Sequence, residues 1–268
     1  MDITDLDLAL GLARDAGAEV VRIRDGGALG VELKPGDEPV TVADRTANEM
    51  IVAGLRAAYP ADAIISEEAV AIVGTGARRW YVDPIDGTKE FIRGSDGFSV
   101  MFGLCEGARP VLGVVHQPTV GRTFFASPAG AFVELAGERK PLAVSAIHDA
   151  AAARLVASAS QRSADIDRVK STLGISDEQN IGSVGVMLAL IALGVRDLYV
   201  NPWPKTKAWD TCAPEAILAR AGDRLGDLFG GPVDYRGELA HRRGLVASNG
   251  HVHDEVLARL APLFAPKT

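Results

Sequence analysis

The sequence has little cysteine and no excess of positive charge. Only two cysteines, Cys105 and Cys212, occur in 268 residues, and their spacing fits neither a zinc-ligand pattern nor a C-x-x-C motif. We therefore expect neither a zinc site nor a disulfide framework and interpret both as buried thiols. The 28 Lys and Arg residues are outnumbered by 35 Asp and Glu residues. This balance argues against a nucleic-acid polymer as partner, because phosphate backbones are bound through clustered cations.

Long apolar runs are also missing. No stretch approaches the roughly 18 apolar residues that indicate a membrane-spanning helix, and residues 1–10 (MDITDLDLAL) lack the basic start and apolar core of a signal peptide. We therefore expect a cytoplasmic protein without a membrane partner. Hydrophobic residues make up 47% of the sequence, which is enough to build a large buried core.

The first half of the chain mixes helices and strands. Thr4 and Asp7 resemble a capping box at the start of an amphipathic helix. A second helix is predicted to end at Pro60, with Asp44 near its N-terminus. Residues 98–135 alternate apolar segments with Gly and Pro, which predicts an antiparallel meander.

The second half alternates strands and helices in the manner of α/β units. One apolar helix is predicted to open on Ser183 and another to end near Gly222. We expect an α+β fold with an N-terminal half, residues 1–140, that carries most candidate metal ligands. The C-terminal half, residues 141–268, carries Asp210, and the two halves are expected to pack as one compact unit with a cleft between them.

Acidic residues follow two short apolar segments that are predicted to be buried strands. Glu67 and Glu68 follow the first, and the segment Asp83–Thr88 (DPIDGT) follows the second. Carboxylates and backbone carbonyls at one turn are the ligands that magnesium prefers. Asp, Pro and Gly are also common turn formers, so the segment alone fits a turn and a metal site equally well.

The number of acids beside apolar segments favours the metal site. Glu67, Asp83, Asp86 and Asp210 all occupy such positions, and clustered buried acids need a cation because unpaired buried charge is costly. Asp44 and Asp210 also fit the simpler role of helix caps. Capping and catalysis are compatible, so both roles stay open.

Five motifs in order make the chain resemble the inositol monophosphatase superfamily, the lithium-sensitive, magnesium-dependent phosphatases. The motifs are Lys34 upstream of VTVAD (40–44), ISEE (65–68), WYVDPIDGT (80–88), GSVG (182–185) and WDTCAPEAIL (209–218). The resemblance spans nearly the whole chain. It implies a layered αβαβα sandwich of the inositol monophosphatase/fructose-bisphosphatase type, with homodimer formation as an option.

The resemblance also implies two magnesium ions and leaves room for a weaker third. Glu67, Asp83 and the carbonyl of Ile85 would hold the first ion, and Asp83, Asp86 and Asp210 the second.

The implied reaction is in-line attack of a water molecule on phosphorus. Asp44, Thr88 and Glu67 are the implied catalytic residues, with Thr88 and Asp44 orienting and deprotonating that water. No phosphoenzyme is expected.

Substrate contacts are implied for Gly87, Thr88, Lys89, Ser160 and Ser183. The backbone N–H groups of Gly87 and Thr88 would hold phosphate oxygens if a helix begins there. Ser183 fits a substrate contact and a helix cap equally well.

Three segments are similar to the 3′(2′),5′-bisphosphate nucleotidase branch. They are Lys89–Phe91 (KEF), 112–118 (LGVVHQP) and 232–235 (PVDY). A fourth segment departs from it, because nucleotidases usually read Ser-Arg-Ser-His where this chain has Ser-Ala-Ser-Gln at 158–161. Inositol phosphatases place a glutamate where Trp203 stands, and this tryptophan fits base stacking or simple packing.

We therefore expect a phosphatase for a small phosphorylated metabolite, with the conversion of phosphoadenosine phosphate to AMP and phosphate as the first choice. Inositol-1-phosphate, histidinol phosphate and fructose bisphosphate are alternative substrates with the same chemistry. A different class of protein, a catalytically silent regulator that binds phosphorylated metabolites, is the remaining alternative. The presence of every implied metal ligand and of Thr88 argues against that regulator.

Overall fold

The structure is a computed structural model that describes residues 4–160 and 162–265. Its α-helices are α1 (Asp5–Asp25), α2 (Val42–Ala58), α3 (Thr88–Ile92), α4 (Ala164–Leu173), α5 (Val184–Ala192), α6 (Ala208–Ala221) and α7 (His253–Phe264), and a 3₁₀ helix spans Ala150–Ala152. Its strands are β1 (Glu32–Lys34), β2 (Glu38–Val40), β3 (Ala63–Ser66), β4 (Arg78–Asp86), β5 (Ser99–Glu106), β6 (Arg109–Gln117), β7 (Arg122–Ser127), β8 (Gly130–Leu135), β9 (Glu138–Pro141), β10 (Leu155–Ser158), β11 (Glu178–Ile181), β12 (Leu198–Asn201), β13 (Arg224–Gly226) and β14 (Leu245–Ser248). Among these residues no helix is both long enough and apolar enough to cross a membrane.

Seven strands, β3 to β9, form a sheet in chain order. β3 and β4 run parallel and every later neighbour is antiparallel, so the predicted meander is confirmed. Because β3 and β4 are parallel, their carboxyl ends meet at the same edge of the sheet. The acids that follow each strand are therefore brought together.

The two faces of this sheet are covered by different helices. Along β4, Trp80 and Val82 pack with α1 and α2, whereas Tyr81 packs with α5 and α6. This is the two-residue alternation of a strand whose faces are both buried. Both predicted N-terminal helices are confirmed, and Asp44 lies in the first turn of α2.

A second sheet has the order β11-β10-β12-β14-β13. Its inner face packs on α5 and α6, and its outer face packs on α4 and α7. The layers are therefore helices, large sheet, helices, small sheet and helices, which confirms the predicted αβαβα sandwich.

Helix α6 lies directly on the large sheet because two glycines face it. Gly103 on β5 pairs across the strands with Gly113 on β6. A Cβ atom on Gly113 would lie 2.1 Å from the carbonyl oxygen of Ala213, and one on Gly103 would lie 2.8 Å from the backbone nitrogen of the same residue. Any larger residue would push α6 away.

The two cysteines lie closer together than their sequence positions indicate. Cys105 on β5 and Cys212 on α6 are both buried free thiols with their Sγ atoms 3.5 Å apart. The interpretation of both as core thiols is confirmed, but nothing in the spacing predicted that they touch.

Asp223, just beyond α6, is a buried acid, and we expect Asp223→Asn to stabilise the protein more at pH 8 than at pH 5. Burial, with a smaller contribution from Asp197, raises the pKa of Asp223 to about 8, although the Arg224 backbone N–H opposes this. The ordinary pKa of 3.8 applies to Asp223 in the unfolded chain, and the pKa of about 8 applies to the folded protein. At pH values between the two, folded Asp223 keeps a proton that the unfolded chain has lost. Stability therefore falls as pH rises.

In the wild type the Arg224 N–H donates to Asp223 Oδ1 at 2.8 Å. Asparagine does not titrate, and its side-chain oxygen can accept the same hydrogen bond. The gain in unfolding free energy over the wild type should be about 3–4 kcal/mol larger at pH 8 than at pH 5. Urea denaturation at the two pH values measures it. A gain that does not change with pH would contradict the raised pKa.

Candidate active site

Three carboxylates from distant parts of the chain converge at the edge of the large sheet. Asp83 and Asp86 lie at the end of β4, and Asp210 lies in the first turn of α6. One oxygen from each lies within 4.8 Å of the other two. The sequence predicted a cluster of these three residues with Glu67. The structure brings the three together, whereas Glu67 is paired with Lys34 and is not part of this close group.

A β-bulge explains why Asp83 and Asp86 point to the same place. Residues three apart on a regular strand face opposite sides of the sheet. Here Asp83 pairs with Met101 but Asp86 pairs with Ser99, so β4 carries one more residue than its partner between the two pairs. The extra residue turns Asp86 to the side of Asp83.

Asp83 is the residue that most clearly needs a cation. It is 2% exposed, and its Oδ1 atom has no hydrogen-bond partner among the described residues. Burial raises the pKa of Asp83 well above its ordinary value, and the charges of Glu67, Asp86 and Asp210 raise it further. A buried, unsatisfied carboxylate oxygen among other acids suits a hard divalent cation.

Asp86 is held by the start of α5. Its Oδ2 accepts hydrogen bonds from the Ser183 hydroxyl at 2.5 Å and the Gly185 N–H at 2.7 Å. Burial raises the pKa of Asp86 to about 6, although these hydrogen bonds oppose the rise. The Ser183 hydroxyl also accepts from the Val186 N–H and is fully buried, which favours the helix cap over the substrate contact.

Asp210 is oriented by the loop before α6. Its Oδ2 accepts a hydrogen bond from the Lys207 N–H at 2.6 Å. Burial raises the pKa of Asp210 well above its ordinary value, with further contributions from Asp86 and Glu67. As for Asp83, the ionised form needs a nearby positive charge.

Glu67 and Glu68 are paired with the β1–β2 hairpin. The Nζ atom of Lys34 lies 2.8 Å from Glu67 Oε1 and 2.6 Å from Glu68 Oε1. Burial opposes the charge of Lys34, but the two glutamates outweigh it and raise its pKa. Lys34 therefore supplies positive charge beside the acidic cluster.

Asp44 and Thr88 form a contact across the site. The Thr88 hydroxyl lies 3.1 Å from Asp44 Oδ1 and 3.1 Å from the carbonyl oxygen of Ile85. The other oxygen of Asp44 completes a capping box with Thr41, so Asp44 caps α2 and faces Thr88 at once. Burial raises the pKa of Asp44 to about 6, against the hydrogen bonds from Thr41.

Gly87 gives the chain the turn that starts α3. Its φ of 96° is left-handed, and a Cβ there would lie 3.1 Å from the carbonyl oxygen of Gly97. Glycine is the residue that adopts this conformation without strain. A helix does begin at Thr88, which meets the condition set for the proposed phosphate contacts of the Gly87 and Thr88 N–H groups.

A cavity of about 450 Å³ opens in front of the cluster. The sequence-predicted site residues that line it are Glu67, Asp83, Ile85, Asp86, Gly87, Thr88, Lys89, Ser160 and Asp210. Asp44 and Ser183 contact two of these lining residues, Thr88 and Asp86, respectively. Gln161, which the sequence comparison singled out, lies outside the described residues.

Sequence reasoning missed the lysines that face this cavity. Lys205 and Lys207 line it together with Lys89 and Trp203. The available signal was the run Lys205-Thr206-Lys207, which is separated from Trp209 by one residue and is too short to show a helix or strand pattern. Trp203 is 47% exposed, and its Nε1–H donates to the Ser163 hydroxyl at 3.3 Å, so this residue borders the cavity instead of packing in the core.

Comparisons with known proteins agree with this geometry. The model of the inositol monophosphatase family matches residues 4–263. The 3′(2′),5′-bisphosphate nucleotidase CysQ of Escherichia coli K12 is 36% identical over 86% of this chain and 93% of that protein. The histidinol-phosphatase of Mycobacterium tuberculosis is 35% identical over 97% and 99% of the two chains. Thermotoga maritima IMPase superposes with a TM-score of 0.82 at 28% identity, covering 96% of this chain and 97% of that one.

Proposed function

The chain belongs to the inositol monophosphatase family and is a phosphoric monoester hydrolase, and we propose that it is a magnesium-dependent 3′(2′),5′-bisphosphate nucleotidase. Its reaction would convert phosphoadenosine phosphate to AMP and phosphate. The assignment as a magnesium-dependent phosphatase depends mainly on one observation, the buried Oδ1 atom of Asp83. This oxygen has no hydrogen-bond partner among the described residues and lies among other acids that line an open cavity.

The cluster of Asp83, Asp86 and Asp210 is suited to one magnesium ion. We assign a second ion to Glu67, Asp83 and the Ile85 carbonyl, because these residues line the same cavity. Bound magnesium offsets the repulsion among the carboxylates and stabilises negative charge on the transferring phosphoryl group. The salt bridge from Lys34 to Glu67 would weaken when Glu67 becomes a ligand.

The proton transfer is assigned to Asp44 and Thr88. A carboxylate with a pKa of about 6 is ionised at neutral pH and accepts a proton more readily than an ordinary aspartate. Thr88 lies within hydrogen-bond distance of Asp44, so its hydroxyl can pass a water proton to Asp44 while its oxygen orients that water. The backbone N–H groups of Gly87 and Thr88 are proposed to hold the phosphate oxygens.

The cations of the cavity support a substrate with a second phosphate. Lys89 and Lys205 line the cavity, and the structure shows no ion pair for either among residues 4–160 and 162–265. A nucleoside bisphosphate would place its second phosphate against such cations. Histidinol phosphate carries a positively charged amine in place of a second phosphate, and these lysines disfavour it.

Trp203 supports a base as the second part of the substrate. Its half-exposed ring borders the cavity, and aromatic faces stack on nucleobases. The inositol ring offers no such face for stacking.

The substrate panel tests this assignment. Phosphate release would be measured with magnesium for phosphoadenosine phosphate, inositol-1-phosphate, histidinol phosphate and fructose bisphosphate, each with and without lithium. Preference for phosphoadenosine phosphate supports the proposal, and preference for another ester replaces the substrate while keeping the chemistry. Lithium inhibition and homodimer formation stay predictions.

Lys205→Gln tests the second phosphate. We expect kcat/KM for phosphoadenosine phosphate to fall about tenfold, the effect of one lost charge-assisted hydrogen bond. For inositol-1-phosphate, which has a single phosphate, kcat/KM should change less than about twofold. Lys140→Gln is the control, because Lys140 is an exposed lysine on β9 that pairs with Glu138. Equal losses on both substrates would contradict the role given to Lys205.

A further inference from the structure

The PVDY segment (residues 232–235) does not line the cavity, yet it contacts α6, the helix that carries Asp210. Its Tyr235 is 2% exposed. The hydroxyl of Tyr235 lies 2.6 Å from Glu215 Oε2 and 3.0 Å from the Thr211 hydroxyl, both on α6. A buried tyrosine hydroxyl with two partners on one helix fixes that helix against the segment.

The residues that follow Tyr235 also contact the start of α6. The Leu239 carbonyl accepts the N–H of Ala208, the first residue of α6, at 2.8 Å, and the His241 N–H donates to the Thr206 carbonyl at 2.9 Å. The Nε2 atom of His241 lies 2.8 Å from the Thr211 hydroxyl. We call residues 235–241 the clamp segment.

Thr211 is held from both sides by the clamp segment. Burial lowers the pKa of His241 to about 4, so the imidazole is neutral at pH 7 and its Nε2 can accept the Thr211 proton. Tyr235 then donates its own proton to Glu215, which Arg109 also contacts at 3.0 Å. The Thr211 side chain is therefore in contact with both ends of the clamp segment, with Tyr235 at 3.0 Å and His241 at 2.8 Å.

The clamp segment lies next to the proposed metal ligand. Thr211 directly follows Asp210, and the Lys207 N–H that orients the Asp210 carboxylate belongs to the loop that Leu239 and His241 hold on each side. None of the clamp residues lines the cavity. Their effect on the site therefore passes through residues 206–210, of which Asp210 is the proposed metal ligand.

We propose that Tyr235 and His241 are positioning residues that set the orientation of Asp210 and thereby the affinity of the carboxylate cluster for its metal. The inference rests on the proposed function, because it presumes that the cluster binds magnesium. Partners that orient metal ligands affect affinity strongly, and their loss typically costs about 10- to 100-fold.

Direct metal binding is the first measurement. Free Mn²⁺ would be followed by electron paramagnetic resonance during titration of each protein without substrate, and phosphate release would be measured separately against Mg²⁺ concentration. In Tyr235→Phe and His241→Ala we expect the Mn²⁺ dissociation constant to rise about tenfold. The Mg²⁺ needed for half-maximal activity should rise in parallel, with kcat at saturating Mg²⁺ within about threefold of wild type.

Two further variants separate positioning from a merely structural role. His241→Gln places an amide near the position of Nε2 and should restore most of the metal affinity. Tyr59→Phe also removes a tyrosine hydroxyl, one that donates to Asp5 at 2.6 Å outside the cavity lining, and should leave metal affinity unchanged. A parallel check of the melting temperature shows whether each variant is folded.

The outcomes distinguish the inference from the proposed function. Wild-type protein that binds Mn²⁺, with unchanged affinity in folded Tyr235→Phe, overturns the inference alone. Unchanged affinity in folded His241→Ala has the same meaning. Wild-type protein that binds no Mn²⁺ overturns the proposed function and this inference with it.

Discussion

Asp83→Asn is expected to lower turnover by about three orders of magnitude or more while the protein stays folded. Asp83 is the one residue proposed to contact both ions, so an amide at this position weakens both sites at once. In the absence of metal the variant should melt at the same temperature or higher, because it removes one charge from a group of buried acids. Added Mg²⁺ should raise the melting temperature of the wild type and not of the variant.

Steady-state kinetics and melting curves with and without Mg²⁺ measure these effects. Asp254→Asn is the control, because Asp254 is an exposed aspartate at the start of α7. The control should keep wild-type turnover and the stabilisation by Mg²⁺. A folded Asp83→Asn protein that retains turnover would overturn the two-metal assignment.

Asp44→Asn should have the second largest effect, a fall in kcat of about 10²- to 10⁴-fold, the usual contribution of general acid–base catalysis. Asparagine keeps an oxygen that can accept from the Thr41 N–H, 2.7 Å away in the wild type. It cannot accept the proton that Thr88 passes on. KM should change little, because Asp44 contacts Thr88 and lies outside the cavity lining.

A matched control exists in the first helix. Asp7 is the third helical residue of α1 and interacts with the N-cap Thr4, as Asp44 does with Thr41 in α2. Asp7→Asn therefore changes a capping acid without touching the cavity and should keep wild-type kcat. A folded Asp44→Asn protein with kcat near that of the control would exclude Asp44 as the proton acceptor.

Much of the fold was predictable because it follows from local patterns. Thr4, Asp44 and Ser183 stand at helix starts with the caps expected for them, and the meander follows its Gly and Pro punctuation. The short strands β1, β2, β9, β11 and β13 were not predicted. Each has three or four residues and is mostly exposed or half-buried, so it carries little of the apolar alternation on which prediction depends.

The residue types of the site were predictable, but its geometry was not. Acids after buried strands indicated a cluster, whereas the bulge that aligns Asp83 with Asp86 appears only in the register between β4 and β5. The contacts of Tyr235 and His241 with Thr211 link residues 24 and 30 positions apart. Local propensity carries no information about such contacts, because they form only when the sheets and helices pack.

Magnesium titration of phosphate release tests the central claim most directly. Protein treated with a chelator and then freed of it would be given phosphoadenosine phosphate at increasing Mg²⁺ concentrations. The proposed mechanism predicts no release without Mg²⁺, saturable release with it, and one phosphate released per substrate molecule to leave AMP. Release that is independent of added metal, or substrate binding without any release, would contradict the assignment of a magnesium-dependent phosphatase.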